Sequence, residues 1–133
     1  MLNVLVLTAS LIQAPSEIRC EHKPMNNLPD KLRAELVADE AGVYTFTLDN
    51  AAKAEKRTGM TCMFHKAEPT VFSCLAKQGA WGATGSRIRE TAVDSDGRDT
   101  SFDGYVFELV KNPLGEARTF RTLRLPASGC TTK

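Results

Sequence analysis

From residue 15 onward, apolar and polar side chains alternate with a period close to two. Ile18, Cys20 and His22 interleave with Arg19, Glu21 and Lys23, and Leu32, Ala34, Leu36 and Ala38 with Lys31, Arg33 and Glu35. That period describes strands buried on one face, not helices, whose apolar positions recur every 3.6 residues. After the turn-forming run Asp39-Glu40-Ala41-Gly42, Tyr44, Phe46 and Leu48 line one face of the next strand, with Thr45 and Thr47 on the other. Further along, Arg87–Val93 has strand character. Tyr105, Phe107 and Leu109 line another strand, Asn112-Pro113-Leu114-Gly115-Glu116 is rich in turn residues, and Arg118–Leu125 completes the series.

Three stretches break the alternation. Asp49–Gly59 contains Ala51-Ala52-Lys53-Ala54-Glu55-Lys56-Arg57, a run of helix formers that Asp49 or Asn50 can cap, so one or two helical turns ending at Gly59 are expected. Gln78–Gly85 holds three glycines and Trp81, the only tryptophan, and reads as a mobile loop. Asp94–Asp103 is polar and acidic, as an exposed connection would be.

About eight strands result, joined mostly by short connections. Parallel pairing needs crossovers of a dozen or more residues, which the chain lacks, so the sheet is expected to be antiparallel. An all-β fold follows: a single up-and-down barrel or strongly curled sheet, with a β-sandwich as the alternative. The 133 residues suit one domain.

The start of the chain and the cysteines speak to compartment. Residues 1–14 carry no charge, and Leu2, Val4, Leu5, Val6, Leu7, Leu11 and Ile12 form an apolar run ahead of Ile12-Gln13-Ala14. This is the pattern of a signal peptide removed after Ala14, leaving a domain over residues 15–133. The run is preceded by no Lys or Arg and followed by Pro15, and its competing reading is a buried first strand. It is too short to span a bilayer. All four cysteines, Cys20, Cys62, Cys74 and Cys130, follow the cleavage point, and an even number in a short exported chain implies disulfides. If Phe64 faces Phe72 across a hairpin turning at Ala67-Glu68-Pro69, the same register sets Cys62 opposite Cys74, leaving Cys20 to clasp Cys130. A one-residue bulge would break that register and leave the pairing Cys20–Cys62 with Cys74–Cys130 open. A secreted or periplasmic protein is expected.

Seventeen basic and sixteen acidic residues give a formal charge of +1, which disfavours nucleic acid as a partner. Arg118, Arg121 and Arg124 fall on alternate faces of one strand, so they form no basic stripe. No serine lies in a Gly-x-Ser-x-Gly elbow, and no P-loop or dinucleotide fingerprint is present. Cys20-x-His22 and Cys62-x-x-His65 include zinc-ligand residue types at spacings that do not suit a zinc hairpin. Asp94, Asp96, Asp99 and Asp103 flank Gly97 as weak calcium candidates without the spacing of an EF-hand; no other cofactor is implied.

The remaining function-like residues are Trp81, an aromatic of the kind that anchors interfaces, and Arg87 with Arg89, a local positive patch. The expected function is that of an exported, non-enzymatic binding protein that takes a protein or small-molecule partner through its loops. An interior carrier would be lined by Tyr44, Phe46, Tyr105 and Phe107. The alternatives are a small secreted hydrolase, whose carboxylates would converge in a cleft with shifted pKa values, and a purely structural envelope protein.

Overall fold

The computed structural model describes residues 14–22 and 31–133; the apolar run ending at Gln13 and the turn-rich Lys23–Asp30 connection lie outside them. Nine strands form one antiparallel sheet: β1 Glu17–His22, β2 Leu32–Ala38, β3 Tyr44–Asp49, β4 Ala54–Phe64, β5 Phe72–Ala76, β6 Trp81–Glu90, β7 Phe102–Lys111, β8 Arg118–Pro126 and β9 Cys130–Thr132. Their spatial order is β8-β7-β6-β5-β4-β3-β2-β1-β9, so each strand from β1 to β8 pairs with its neighbours in sequence. The two edge strands, β8 and β9, are consecutive in the chain and joined by a single 3₁₀ turn, Ala127–Gly129. The sheet therefore curls until β8 lies beside β1 and β2, and the chain itself steps across the seam. Among the described residues no hydrogen-bonded pair closes it.

Alternation along each strand builds the core. Ile18, Cys20, Ala34, Leu36, Tyr44, Phe46, Leu48, Met60, Phe72, Cys74, Ala83, Tyr105, Phe107, Leu109, Leu123 and Leu125 are all buried in one cluster. Phe72 sits at its centre, with ring centroids 6.1 Å from Phe46 and 6.1 Å from Phe107. The aromatic side chains considered as the lining of an interior carrier are thus packing one another: Phe46 and Phe107 are each 1% exposed. Side chains thus fill the interior of the curled sheet, as in a small barrel.

The register derived from the cysteine hairpin is observed, with Phe64 opposite Phe72 and Cys62 opposite Cys74. Both proposed disulfides are present, Cys62–Cys74 and Cys20–Cys130. Cys130 opposite Cys20 is one rung of the β1–β9 pair, which turns the tail into a ninth strand. Two disulfides are a mark of an oxidising, extracellular environment. No helix among the described residues is long and apolar enough to cross a membrane.

The other two irregular stretches in the first two-thirds of the chain are corrected by the structure. The helical turns expected over Asp49–Gly59 do not form. Asp49 and Asn50 accept hydrogen bonds from the Ala51, Ala52 and Lys53 amides, but they cap a tight turn at Ala51 (φ 75°), and β4 begins at Ala54. So short a run cannot nucleate a helix alone, whereas as a strand it adds a full ladder to β3, with Leu48 opposite Glu55 and Phe46 opposite Arg57. Gly59, at φ 71°, is no helix stop. Together with Thr58 it opposes the single residue Thr45, making a bulge that a left-handed glycine accommodates.

The glycine-rich stretch is likewise ordered differently from the expected loop: a 3₁₀ turn, Lys77–Gly79, leads into β6, and the residues from Trp81 to Gly85 are strand. A Cβ on Gly85 would come within 2.5 Å of the Thr70 carbonyl oxygen and 2.6 Å of the Phe72 ring, so glycine here lets the central aromatic press against the backbone of β6.

Candidate functional site

At the end of the barrel near the β7–β8 turn, charged residues occupy inward-facing positions. Glu55 pairs with Leu48, Arg57 with Phe46 and Arg121 with Leu109, so alternation aims all three at the interior. Trp81, first residue of β6, meets Phe120 edge-on with ring centroids 5.3 Å apart, and the Arg57 guanidinium stacks 4.1 Å above the indole. Arg121 covers Phe120 at 4.5 Å. Glu55 is buried between Arg57 Nη1, 3.3 Å from Oε2, and Lys53 Nζ, 3.3 Å from Oε1, with Arg121 Nη2 at 3.7 Å. Burial alone would raise its pKa, but Lys53 and Arg57 outweigh that and hold the carboxyl below the ordinary glutamate value. Trp81 is therefore not a free anchor on a loop. It is half-buried and sandwiched within its own chain.

The opposite end carries a second ion network. Arg87 Nη1 donates to Glu68 Oε2 at 2.7 Å and to the Tyr105 hydroxyl at 2.9 Å, and Nη2 donates to Asp103 Oδ1 at 2.5 Å. Tyr105 in turn donates to Glu68 Oε2 at 2.7 Å. Glu68 lies in the β4–β5 turn, which these bonds tie to β6 and β7. The hydrogen bond from Tyr105 lowers the Glu68 pKa; burial acts against it and the Arg87 charge reinforces it. Burial, and then the bond to Glu68, raises that of Tyr105. Arg89 is largely exposed and lies 3.6 Å from Asp103. The structure does bring Arg87 and Arg89 together, but around an acid of their own chain. Both glutamates with lowered pKa values are held as anions by adjacent cations, the opposite of a poised general acid.

The acidic stretch is an ordinary hairpin turn. Asp94 Oδ1 accepts from the Asp96 and Arg98 amides, Asp99 Oδ1 accepts from the Ser101 amide, and Asp103 belongs to the Arg87 network. Three of the four acids suggested for calcium, Asp94, Asp99 and Asp103, thus each accept bonds within their own part of the chain. Among the described residues no group of three or more His, Cys, Asp or Glu is arranged to hold a metal ion. The zinc combination fails on chemistry, because Cys20 and Cys62 are both oxidised.

A groove lies on the outer face of the sheet. Along β5, Ser73 and Leu75 point outward and Lys77 follows them. Thr61 and Met63 flank them on β4, Gly82 and Thr84 on β6, and Val110 on β7. Together with Val43, Pro113 and Leu114 these line a groove of about 890 Å³. Its floor is low because the residues there are small, and its wall is the β7–β8 turn folded back onto the sheet. Pro113 lies over Gly82, and Leu114 over Gly79, where a Cβ would come within 2.9 Å of Leu114 Cδ1. Met63 and Leu114 stand 76% and 75% exposed, two of the three large hydrophobic side chains that the described surface leaves in water.

Strand alternation did carry a signal for this groove. Outer positions elsewhere hold Arg19, Glu35 and Lys56, whereas the outer positions of β5 and β6 read Ser73, Leu75, Gly82 and Thr84. The Pro113-Leu114 pair, read simply as turn, supplies the wall.

No known protein family, curated protein or solved structure matches the chain.

Proposed function

We propose that this is an exported binding protein whose working surface is the outer groove over β4, β5 and β6. The observation that carries the reading is the convergence of Met63 and Leu114 on one apolar trough of about 890 Å³. Small-molecule sites commonly measure about 300 to 1,000 Å³ and are lined mainly by apolar groups, and large side chains exposed together mark binding surfaces more often than ones scattered singly. Export agrees with the two disulfides and with the charge-free run at residues 1–14. The partner is engaged on a sheet face walled by one turn, rather than through Trp81 or the Asp94 turn.

A neutral environment-sensitive dye, N-phenyl-1-naphthylamine, tests the site. The disulfide-intact protein is expected to enhance its fluorescence saturably, and Leu114→Asp and Met63→Asp are each expected to abolish the enhancement while leaving the near-UV circular dichroism unchanged. Wild-type protein without saturable enhancement, or folded variants that retain it, would remove the groove as the binding surface.

A further inference from the structure

We propose, building on the groove reading above, that its ligand is a single-chain anionic amphiphile, a fatty-acid carboxylate. The hydrocarbon lies along β5 between Met63 and Leu114, and the carboxylate meets Lys77.

The first argument is the distribution of charge. Of the described residues that line the groove only Lys77 is charged, and none is acidic. Lys77 also has no ion-pair partner among the described residues, a state it shares with Lys56, Lys66 and Lys111; what sets it apart is its place in the lining of the groove. An apolar trough ending at one uncompensated ammonium complements a molecule with an apolar body and one negative end.

The second argument is shape. Ser73 and Leu75 lie on one outer line of β5 and Lys77 opens the 3₁₀ turn directly after it, so the trough follows β5 toward that turn. At roughly 3.3 Å per residue, the way from Ser73 to Lys77 covers about 13 Å. A linear chain can follow that track.

The third argument separates an acyl chain from a peptide. A bound peptide strand needs partners for its own amides and carbonyls. β5 is paired on both sides, with β4 and β6, so the sheet beneath the groove has no free backbone edge to offer. The polar groups in the trough are the hydroxyls of Thr61, Ser73 and Thr84. A hydrocarbon chain makes no such demand and gains from the apolar walls.

The test is displacement of bound N-phenyl-1-naphthylamine by three amphiphiles of equal chain length: dodecanoate, dodecanol and dodecyltrimethylammonium. Wild-type protein is expected to release the dye at the lowest concentration of dodecanoate and the highest of dodecyltrimethylammonium. Lys77→Glu, a change at an exposed position, is expected to weaken dodecanoate by about five- to tenfold, to reverse the order of the two charged competitors and to leave dodecanol unchanged. Equal displacement by dodecanoate and dodecanol, or an order untouched by Lys77→Glu, would overturn the assignment of an anionic head while dye binding itself keeps the groove reading. Absence of dye binding in the wild type would defeat the groove reading and this proposal together. A protein that sediments as a dimer and binds dye only on dissociation would assign the face to a second copy of the chain and overturn the proposal.

Discussion

Cys20 and Cys130 stand 110 residues apart in sequence, yet face each other across the β1–β9 pair with Cα atoms 4.0 Å apart. Because β9 follows β8 directly, this bond reinforces the β1–β9 ladder that holds the last strand against the first across the seam. The second disulfide, Cys62–Cys74, spans only 12 residues inside one hairpin.

In the chain-entropy account, closing the longer loop restricts the unfolded chain by about 5 kcal/mol and the shorter by about 3 kcal/mol. Replacing Cys20 and Cys130 together by Ser is therefore expected to lower the urea midpoint more than replacing Cys62 and Cys74 together. Equilibrium urea denaturation of the two double variants decides it. A larger loss for the hairpin pair would show that packing around Phe64 and Phe72, not loop closure, sets the effect.

Trp81 separates a scaffold role from a binding role. Its indole is held between Phe120 and the Arg57 guanidinium, and it is absent from the lining of the groove. Trp81→Ala is expected to destabilise the fold by about 2 kcal/mol, less than the 3 to 5 typical of a fully buried tryptophan. Dye affinity at the groove is expected to stay at the wild-type level. Urea midpoints and the dye titration, run on the same preparation, read the two effects separately.

The Glu68 network makes stability depend on pH. The carboxyl is held below its ordinary value by Tyr105 and by Arg87, so the folded state binds its proton less readily than the unfolded chain does. The stabilisation is present above the unfolded value of about 4.3 and is lost as pH falls through the lower folded value. At pH 7 Glu68→Gln is expected to cost about 1 kcal/mol, a modest figure because the pair is partly exposed. The gap between wild type and variant is expected to narrow steadily below about pH 4.3. Thermal melts of both proteins from pH 7 to pH 3 measure it, and a gap that does not change over that range would show that Glu68 carries no linked proton.

The sequence by itself led to an antiparallel all-β sheet of about eight strands and to the Cys62–Cys74 rung, because a period of two and a hairpin register are local properties that need only neighbours along the chain. It also led to the Cys20–Cys130 clasp once the other pair was placed. Local propensity misled at Asp49–Gly59, where the ladder to β3 outweighs the helix preference of a few Ala, Lys and Glu residues. It misled again at Gln78–Gly85, where glycine serves close packing against Phe72 rather than mobility.

What only the tertiary structure decided is which partners the polar residues find. Arg57 meets Trp81 from another strand, Arg87 reaches Glu68 in the β4–β5 turn, and the β7–β8 turn folds Pro113 onto Gly82 of β6 and Leu114 onto Gly79. Side-chain spacing names the face on which a residue lies. The curl of the sheet and the direction each turn leans determine what that face meets, and these come from twist and packing summed over the whole chain.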